Sequence, residues 1–149
     1  MMNNFININL YCFYYKIHAS LLGCPISQIM VFNIMKKLII GATGSIGSAV
    51  SKNIQKNGGK THLVGRNEKD VSSLASELGS SFTVADVLNE NFSDKIISDL
   101  ENEEIDGLAF CVGSIDLKPL KLTKKSDYMQ CFNLNLISAT EIIRASYDK

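Results

Sequence analysis

The chain has 149 residues, 46% of them hydrophobic, and its 15 basic and 15 acidic side chains leave no net charge. This length and composition allow one domain with a packed core. The charge balance argues against a sequence-independent nucleic-acid binder, which carries a basic excess, and against an acidic disordered chain.

Residues Met1–Ile34 contain no Asp or Glu and only Lys16 as a charged residue, whereas all 15 acidic residues follow them. No apolar run reaches the ~18 residues that a membrane-spanning helix needs, and the basic start of a signal peptide is missing. We expect either that translation begins at Met35 or that residues 1–34 form a poorly ordered extension. The folded domain is therefore expected to cover residues 35–149.

Four strand-like runs follow, and each is followed by a helical pattern. The predicted strands are Lys37–Gly41, Thr61–Val64, Ser81–Val87 and Ile105–Gly113. The first is a short apolar run ending on glycine, which is typical of a buried parallel strand. Strict alternation with short connections predicts an α/β fold, a parallel sheet with right-handed crossovers and helices on both faces.

The four helices are predicted from apolar residues at helical spacing. The first stops at Asn57-Gly58-Gly59, the second is capped by Asn67 and ends at Gly79, and the third covers Phe92–Leu100. The last begins near Thr123 or Ser126. The residues expected on inner faces are Ile46, Ala49, Val50 and Ile54 in the first helix, Val71, Leu74, Ala75 and Leu78 in the second, and Tyr128, Met129, Phe132, Leu136, Ala139, Ile142 and Ile143 in the last.

A glycine-rich turn joins the first strand to the first helix: Gly41-Ala42-Thr43-Gly44-Ser45-Ile46-Gly47. Gly41 allows a tight turn off the strand, Gly44 lets the backbone approach a pyrophosphate, and Gly47 permits close packing of the helix. The helix N-terminus then offers unpaired N–H groups to phosphates. Between a strand and a helix, this pattern predicts a Rossmann-type dinucleotide site; an ordinary tight turn is the alternative.

Gly65-Arg66-Asn67 follows the second strand, where Rossmann enzymes bind the adenosine ribose. An acidic residue there accepts from the hydroxyls of NAD, whereas a basic one pairs with the 2′-phosphate of NADP. Arg66 can bind a phosphate through its forked donors, and Glu68 lies inside the next helix. We therefore predict NADP as the cofactor in preference to NAD; an ordinary surface arginine is the alternative.

These residues resemble the short-chain dehydrogenase/reductase family, and the resemblance covers Met35 to Lys149. Aligned as Gly-x-x-x-Gly-x-Gly, the turn has Ser45 in place of the middle glycine. Aligned as Gly-x-x-Gly-x-x-Gly, the form of the extended and atypical branches, it fits completely. The branch of the family stays open.

The resemblance implies further cofactor contacts. Asp86 and Val87 are similar to the family's adenine-binding pair; an ordinary aspartate at the end of a strand is the alternative for Asp86. Cys111 and Gly113 stand where the family has Asn-Asn-Ala-Gly beside the ribose, with only the glycine kept. Asn135 resembles the family's catalytic asparagine, which anchors a water molecule in the proton relay. The alternatives are that Asn135 caps a helix or lies on the surface, or that Asn133 is the residue that corresponds to the catalytic asparagine.

The family's catalytic serine and Tyr-x-x-x-Lys normally follow this asparagine by several tens of residues. Ser146-Tyr147-Asp148-Lys149 has those residue types at the wrong spacing. We therefore expect a fragment that binds the cofactor but does not catalyse. The family's strand order would be 3-2-1-4, which leaves the fourth strand at an open, aggregation-prone edge.

Three functions stay open: an NADP(H)-dependent oxidoreductase acting on a carbonyl or alcohol, a non-catalytic NADP sensor, or a nucleotide-sugar epimerase or dehydratase. Residues 114–122 are the only ones expected to touch the substrate. By resemblance, the full-length protein forms homo-oligomers.

Cysteines and histidines have no zinc-site spacing, and lone cysteines indicate buried thiols in a reducing cytoplasm. The cysteines are Cys12, Cys24, Cys111 and Cys131.

Overall fold

The computed structural model describes residues 36–101, 103–114 and 117–147. The expectations for residues 1–34, for a start at Met35, and for Cys12 and Cys24 lie outside these residues.

The four strands form one parallel sheet. They are β1 (Lys36–Ile40), β2 (Lys60–Gly65), β3 (Ser81–Val84) and β4 (Ile105–Phe110), and their order in the sheet is β3-β2-β1-β4. This confirms the predicted fold and strand order. The third and fourth strands end earlier than predicted, because residues 85–87 and 111–113 leave the sheet as loops.

The helices lie between the strands as the spacing predicts. They are α1 (Ser45–Lys56), α2 (Glu68–Leu78) and α3 (Phe92–Asp99). Asn67 Oδ1 caps α2 by accepting from the N–H groups of Lys69 and Asp70 at 3.0 and 3.4 Å. Gly79 ends α2 in the left-handed region, with φ of 60°, where glycine is favoured.

A short 3₁₀ turn, Leu120–Leu122, precedes the last helix. That helix has three parts: α4 (Lys125–Phe132), a π-helical segment (Asn133–Ile137) and α5 (Ser138–Ala145). A π-helical segment has wider turns than an α-helix, so the 3.6-residue spacing does not continue unchanged through it.

The core lies on both faces of the sheet. On one face, Leu38, Ile40 and Val64 pack with Phe92 and Ile96 of α3 and with Ile142 of α5. On the other face, Ile39 and Leu63 pack with the buried side of α2, supported by Val50 and Ile54 of α1. Because helices cover both faces, the last three residues of β1, Leu38, Ile39 and Ile40, are all apolar and fully buried.

The predicted inner face of α1 is partly wrong. Ile46 is 70% exposed and Ala49 is also exposed, whereas Gly47 and Ser51 are the buried residues of this helix. Ser51 Oγ donates to the Gly47 carbonyl at 2.8 Å, which satisfies the buried hydroxyl. Small residues face inward here because the helix packs very close to the turn that follows β1.

The predicted apolar face of the last helix is also mostly wrong. Of its members only Ile142 is fully buried; Tyr128, Met129, Phe132, Leu136 and Ile143 are each about half exposed. The side that packs on the core consists of Leu134, Ser138 and Ile142. An apolar pattern indicates burial only where a neighbouring element covers it, and the described residues place none over this face.

Neither described cysteine is fully buried: Cys111 is half-buried and Cys131 is exposed, and both are free thiols. The expectation of buried thiols is therefore wrong for Cys131. Among the described helices, none is long and apolar enough to span a membrane.

Candidate cofactor site

A cavity of about 1100 Å³ opens at the carboxyl edge of the sheet, where the chain leaves all four strands. In open α/β sheets, ligands bind at this edge, beside the point where the strand order reverses. Here that point is β1, which has β2 on one side and β4 on the other. Most of the lining comes from four segments: residues 41–44 after β1, 65–67 at the end of β2, 85–88 after β3 and 111–114 after β4. The rest comes from the strand residues Ile40 and Val64 and from three helical residues, Asp70, Gln130 and Leu134.

The turn after β1 depends on two glycines. Gly41 has φ of +79°, and a side chain there would also meet Val112 Cγ2 at 2.7 Å. A Cβ on Gly47 would overlap the carbonyl oxygen of Gly41, and it would lie 2.8 Å from Ala42 Cα. The first glycine therefore permits the bend, and the second lets α1 begin directly against it.

The N-terminus of α1 has no side-chain cap. Its N-cap residue is Gly44, and its first turn contains no acidic residue. By contrast, α2 is capped by Asn67 and has Glu68 and Asp70 in its first turn. An uncapped helix start offers N–H donors and a partial positive charge. Of these two neighbouring helices, α1 is therefore the one suited to an anionic group.

Arg66 and Asp86 face each other across the cavity. The guanidinium Nη1 lies 3.9 Å from Asp86 Oδ2, and the Arg66 side chain is 77% exposed. Asp86 Oδ1 accepts from the N–H of Leu88 at 3.0 Å, which fixes that carboxylate in the loop after β3. An exposed ion pair at this distance stabilises little, so Arg66 can turn to another anion.

Asn67 lines the cavity, but its Oδ1 atom is used to cap α2. Asp70, one turn into α2, also lines the cavity and was not identified from the sequence. Its carboxylate adds negative charge to the cavity that Arg66 also lines, which opposes binding of a phosphate. No motif signals this residue; only the direction of the first turn of α2 brings it to the site.

Asn135 holds the loop after β4. Its Oδ1 accepts from the N–H of Ser114 at 3.0 Å, and its Nδ2 donates to the Ser114 carbonyl at 3.0 Å and to the Cys131 carbonyl at 2.9 Å. A Cβ on Gly113 would come within 3.0 Å of Asn135 Oδ1. The glycine and the asparagine thus fit each other, and the π-helical segment carries the amide to this position.

Cys111 lines the cavity, and its N–H donates to the Ile40 carbonyl at 2.8 Å. Burial raises the pKa of its thiol, so the thiolate needed for nucleophilic chemistry is disfavoured. A nucleophilic role for Cys111 is therefore not favoured.

The structure brings most of the predicted cofactor residues together in this one cavity: Gly41, Thr43, Gly44, Arg66, Asn67, Asp86, Val87, Cys111 and Gly113. Ser45, Ile46, Gly47 and Asn135 do not line it, although Ser45 to Gly47 form the adjoining start of α1. Their roles in binding or catalysis stay predictions. Of the expected substrate residues, Ser114 lines the cavity, whereas Leu117, Leu120 and Leu122 are exposed outside it.

Comparison with known proteins agrees with this geometry. The family model for short chain dehydrogenases matches residues 36–149. A search of the curated proteins finds no match.

Solved structures share the fold at low identity. A short-chain type dehydrogenase/reductase from Mycobacterium ulcerans is 17% identical with a TM-score of 0.69, covering 76% of this chain and 46% of its own. Serine dehydrogenase from Escherichia coli is 24% identical with a TM-score of 0.69, covering 76% and 55%. YwfH, titled an NADPH dependent reductase involved in bacilysin biosynthesis, is 13% identical with a TM-score of 0.71, covering 76% and 52%.

The chain thus spans about half the length of these solved structures. The family match covers most of the sequence, from the first residue of β1 onward. On that match, and on a glycine turn and cavity placed as a dinucleotide site requires, the chain belongs to the short-chain dehydrogenase family.

Proposed function

We propose that this chain binds NADP(H) at the carboxyl edge of its sheet, as the cofactor half of a short-chain dehydrogenase/reductase. The observation that carries the proposal is the uncapped, acid-free start of α1 beside a cavity that Arg66 also lines. The helix start would hold the pyrophosphate. The nicotinamide supplies the hydride when the cofactor is bound.

NADP is favoured over NAD because Arg66 directly follows β2, where the ribose phosphate would lie. Two carboxylates oppose this choice, Asp70 and Asp86. Asp86 lies 3.9 Å from the guanidinium, a separation at which an exposed pair is easily exchanged for a shorter, forked contact to phosphate. The guanidinium is therefore expected to determine the preference.

For a protein that joins this chain to a catalytic half, we propose hydride transfer between the nicotinamide and the carbon of a small carbonyl or alcohol substrate. The 149 residues contain no Tyr-x-x-x-Lys, so we expect them to bind cofactor without turnover. The two hydrogen bonds between the Asn135 side chain and the Ser114 backbone favour a positioning role for Asn135 in the loop after β4. The match to the short chain dehydrogenase model favours hydride transfer over sugar-nucleotide epimerisation or dehydration. A cytoplasmic location and homo-oligomer formation stay predictions.

Calorimetric titration with NADPH and with NADH tests the proposal. A charge-assisted contact to the 2′-phosphate should make NADPH bind about ten- to a hundredfold more tightly than NADH. Arg66→Ala should abolish that difference and leave NADH binding nearly unchanged. Arg144→Ala is the matched control, since Arg144 is the other arginine of the chain and is exposed on α5, outside the cavity.

If neither nucleotide binds to the folded protein, the proposed function is wrong. If both bind equally and Arg66→Ala changes nothing, the cofactor choice is wrong, although dinucleotide binding stands. Hydride-transfer activity of the 149 residues with NADPH and a panel of carbonyl substrates would contradict the expectation of binding without turnover.

A further inference from the structure

A second polar cluster lies at the amino edge of the sheet, opposite the cofactor cavity. At its centre is His62 of β2, which is only 1% exposed. Its Nδ1 lies 2.9 Å from Ser81 Oγ, and its Nε2 lies 2.9 Å from Thr83 Oγ1, both on β3. A buried histidine with both ring nitrogens partnered is held in one orientation.

The remaining partners determine where the protons lie. Thr83 Oγ1 donates to Asp99 Oδ2 at 2.7 Å, so it accepts from His62 Nε2–H. Lys36 Nζ donates to Ser81 Oγ at 2.9 Å, which leaves the Ser81 proton for His62 Nδ1. A neutral imidazole with its proton on Nε2 therefore completes one continuous series of donors, from Lys36 on β1 to Asp99 at the end of α3.

Opposite charges face this histidine from three elements. Lys36 comes from β1, Asp99 from α3, and Glu103 from the connection between α3 and β4, where it pairs with Lys36 at 2.5 Å. From β3 come only the two hydroxyls, and Lys60 on β2 itself is exposed. The pKa of His62 is lowered by burial first and by Lys36 second, while Glu103 and Asp99 act in the raising direction.

A second proton on His62 would break the series at Ser81, whereas the bonds from Nε2 to Thr83 and from Thr83 to Asp99 would remain. With Nδ1 protonated, Ser81 Oγ would have to accept from both Lys36 and His62, and its own proton would lose its acceptor. The positive charge would also lie in a buried site already facing an ammonium. A positive charge on a side chain that is only 1% exposed is costly, and the hydroxyl of the half-buried Ser81 loses a hydrogen bond.

We propose that His62 is a proton-sensitive latch: its neutral form helps to hold the C-terminal end of α3 and the α3–β4 connection against the sheet, and a second proton weakens that corner by breaking the bond with Ser81 and by opposing Lys36, which pairs with Glu103. The latch needs no ligand, and neither His62 nor its partners Ser81 and Thr83 line the cofactor cavity. It gives the fold a local response to mild acid.

The direction of the pH dependence follows from the lowered pKa of His62 in the folded chain. The unfolded chain takes up the proton near the ordinary value of about 6.5, before the folded chain does. The latch therefore contributes its full stability above that pH. The contribution is lost as the pH falls from about 6.5 through the lower folded pKa.

Hydrogen exchange of the α3 amides on the full 149-residue chain, corrected for intrinsic rate, tests the latch. Between pH 7 and pH 5, protection of Phe92–Asp99 should fall roughly tenfold, because the opened chain takes up a proton near pH 6.5 that the folded chain resists. His62→Gln should remove this pH dependence, because the amide can still donate to Thr83 but does not titrate. His18→Gln is the matched control, since the chain has only these two histidines, and it should keep the fall.

Nitrogen-15 shifts of His62 in the unmodified chain give a readout that does not depend on any variant folding. They should report the Nε2–H tautomer at pH 7 and a pKa below the ordinary value. A proton on Nδ1 at pH 7, a pKa of 6.5 or above, or the same loss of protection in His62→Gln would overturn the proposal.

Discussion

Gly47→Ala would place a methyl group where the turn after β1 meets α1. The new Cβ would overlap the Gly41 carbonyl oxygen and lie 2.9 Å from the carbonyl carbon, and both atoms are backbone. No side-chain rotation can relieve this contact, so α1 must move away from the turn. Overpacking of this kind costs about 1–3 kcal/mol, which for a domain of this size lowers Tm by roughly 5–15 °C.

Gly44→Ala provides the matched comparison. Its Cβ would lie 3.4 Å from the Gly41 oxygen, an ordinary contact, and its φ of −70° suits alanine. Its cost in stability should stay below about 1 kcal/mol. Gly44 lines the cavity, however, so the methyl group should weaken NADPH binding about tenfold or more by steric contact.

Thermal unfolding followed by circular dichroism, together with calorimetric titration of each variant, measures both quantities. Gly47→Ala should mainly lose stability, and Gly44→Ala should mainly lose affinity. Equal stability of Gly47→Ala and the unmodified chain would refute the close packing of α1 on the turn. Full NADPH affinity in a folded Gly44→Ala variant would refute the approach of the pyrophosphate to this glycine.

Two further predictions concern the last helix. Asn135→Ala should lower the free energy of unfolding by about 1 kcal/mol, because its two hydrogen bonds to Ser114 are exposed and water replaces them in part. Hydrogen exchange at residues 111–114 should accelerate. Unchanged exchange there would contradict the role of Asn135 in holding this loop. Phe132→Lys should leave Tm unchanged, since that side chain is 56% exposed. It should also reduce light scattering and the binding of a hydrophobic dye, because it removes part of an exposed apolar surface. A large fall in Tm would show that this apolar face of the last helix is covered.

The sheet and the turn after β1 were predictable because their signals are local. Apolar runs ended by glycine mark β1 and its bend, Asn67 marks the start of α2, and Gly79 marks its end. The strand order came from the family resemblance, and the sheet confirms it. Residues that follow parallel strands meet at one edge of a sheet, so the sequence alone could place Arg66 and Asp86 on the same side of the sheet.

The remaining features depend on contacts between distant parts of the chain. The π-helical segment that brings Asn135 to Ser114 has no clear spacing signal, and it misled the assignment of the buried face of the last helix. Ile46 was expected inward because it is apolar, yet Gly47 and Ser51 are buried there since the helix lies too close for larger side chains. The partners of His62 come from positions 19 to 21 residues away, which no local pattern indicates.

NADPH-induced shifts in the amide NMR spectrum show directly whether a dinucleotide site lies at the carboxyl edge of the sheet. Such a site should give the largest changes at the start of α1 from Ser45 to Gly47, at Arg66, and in the loops at residues 86–88 and 111–114. Changes confined to the exposed face of α4 and α5, or no change at saturating NADPH in a folded sample, would contradict it.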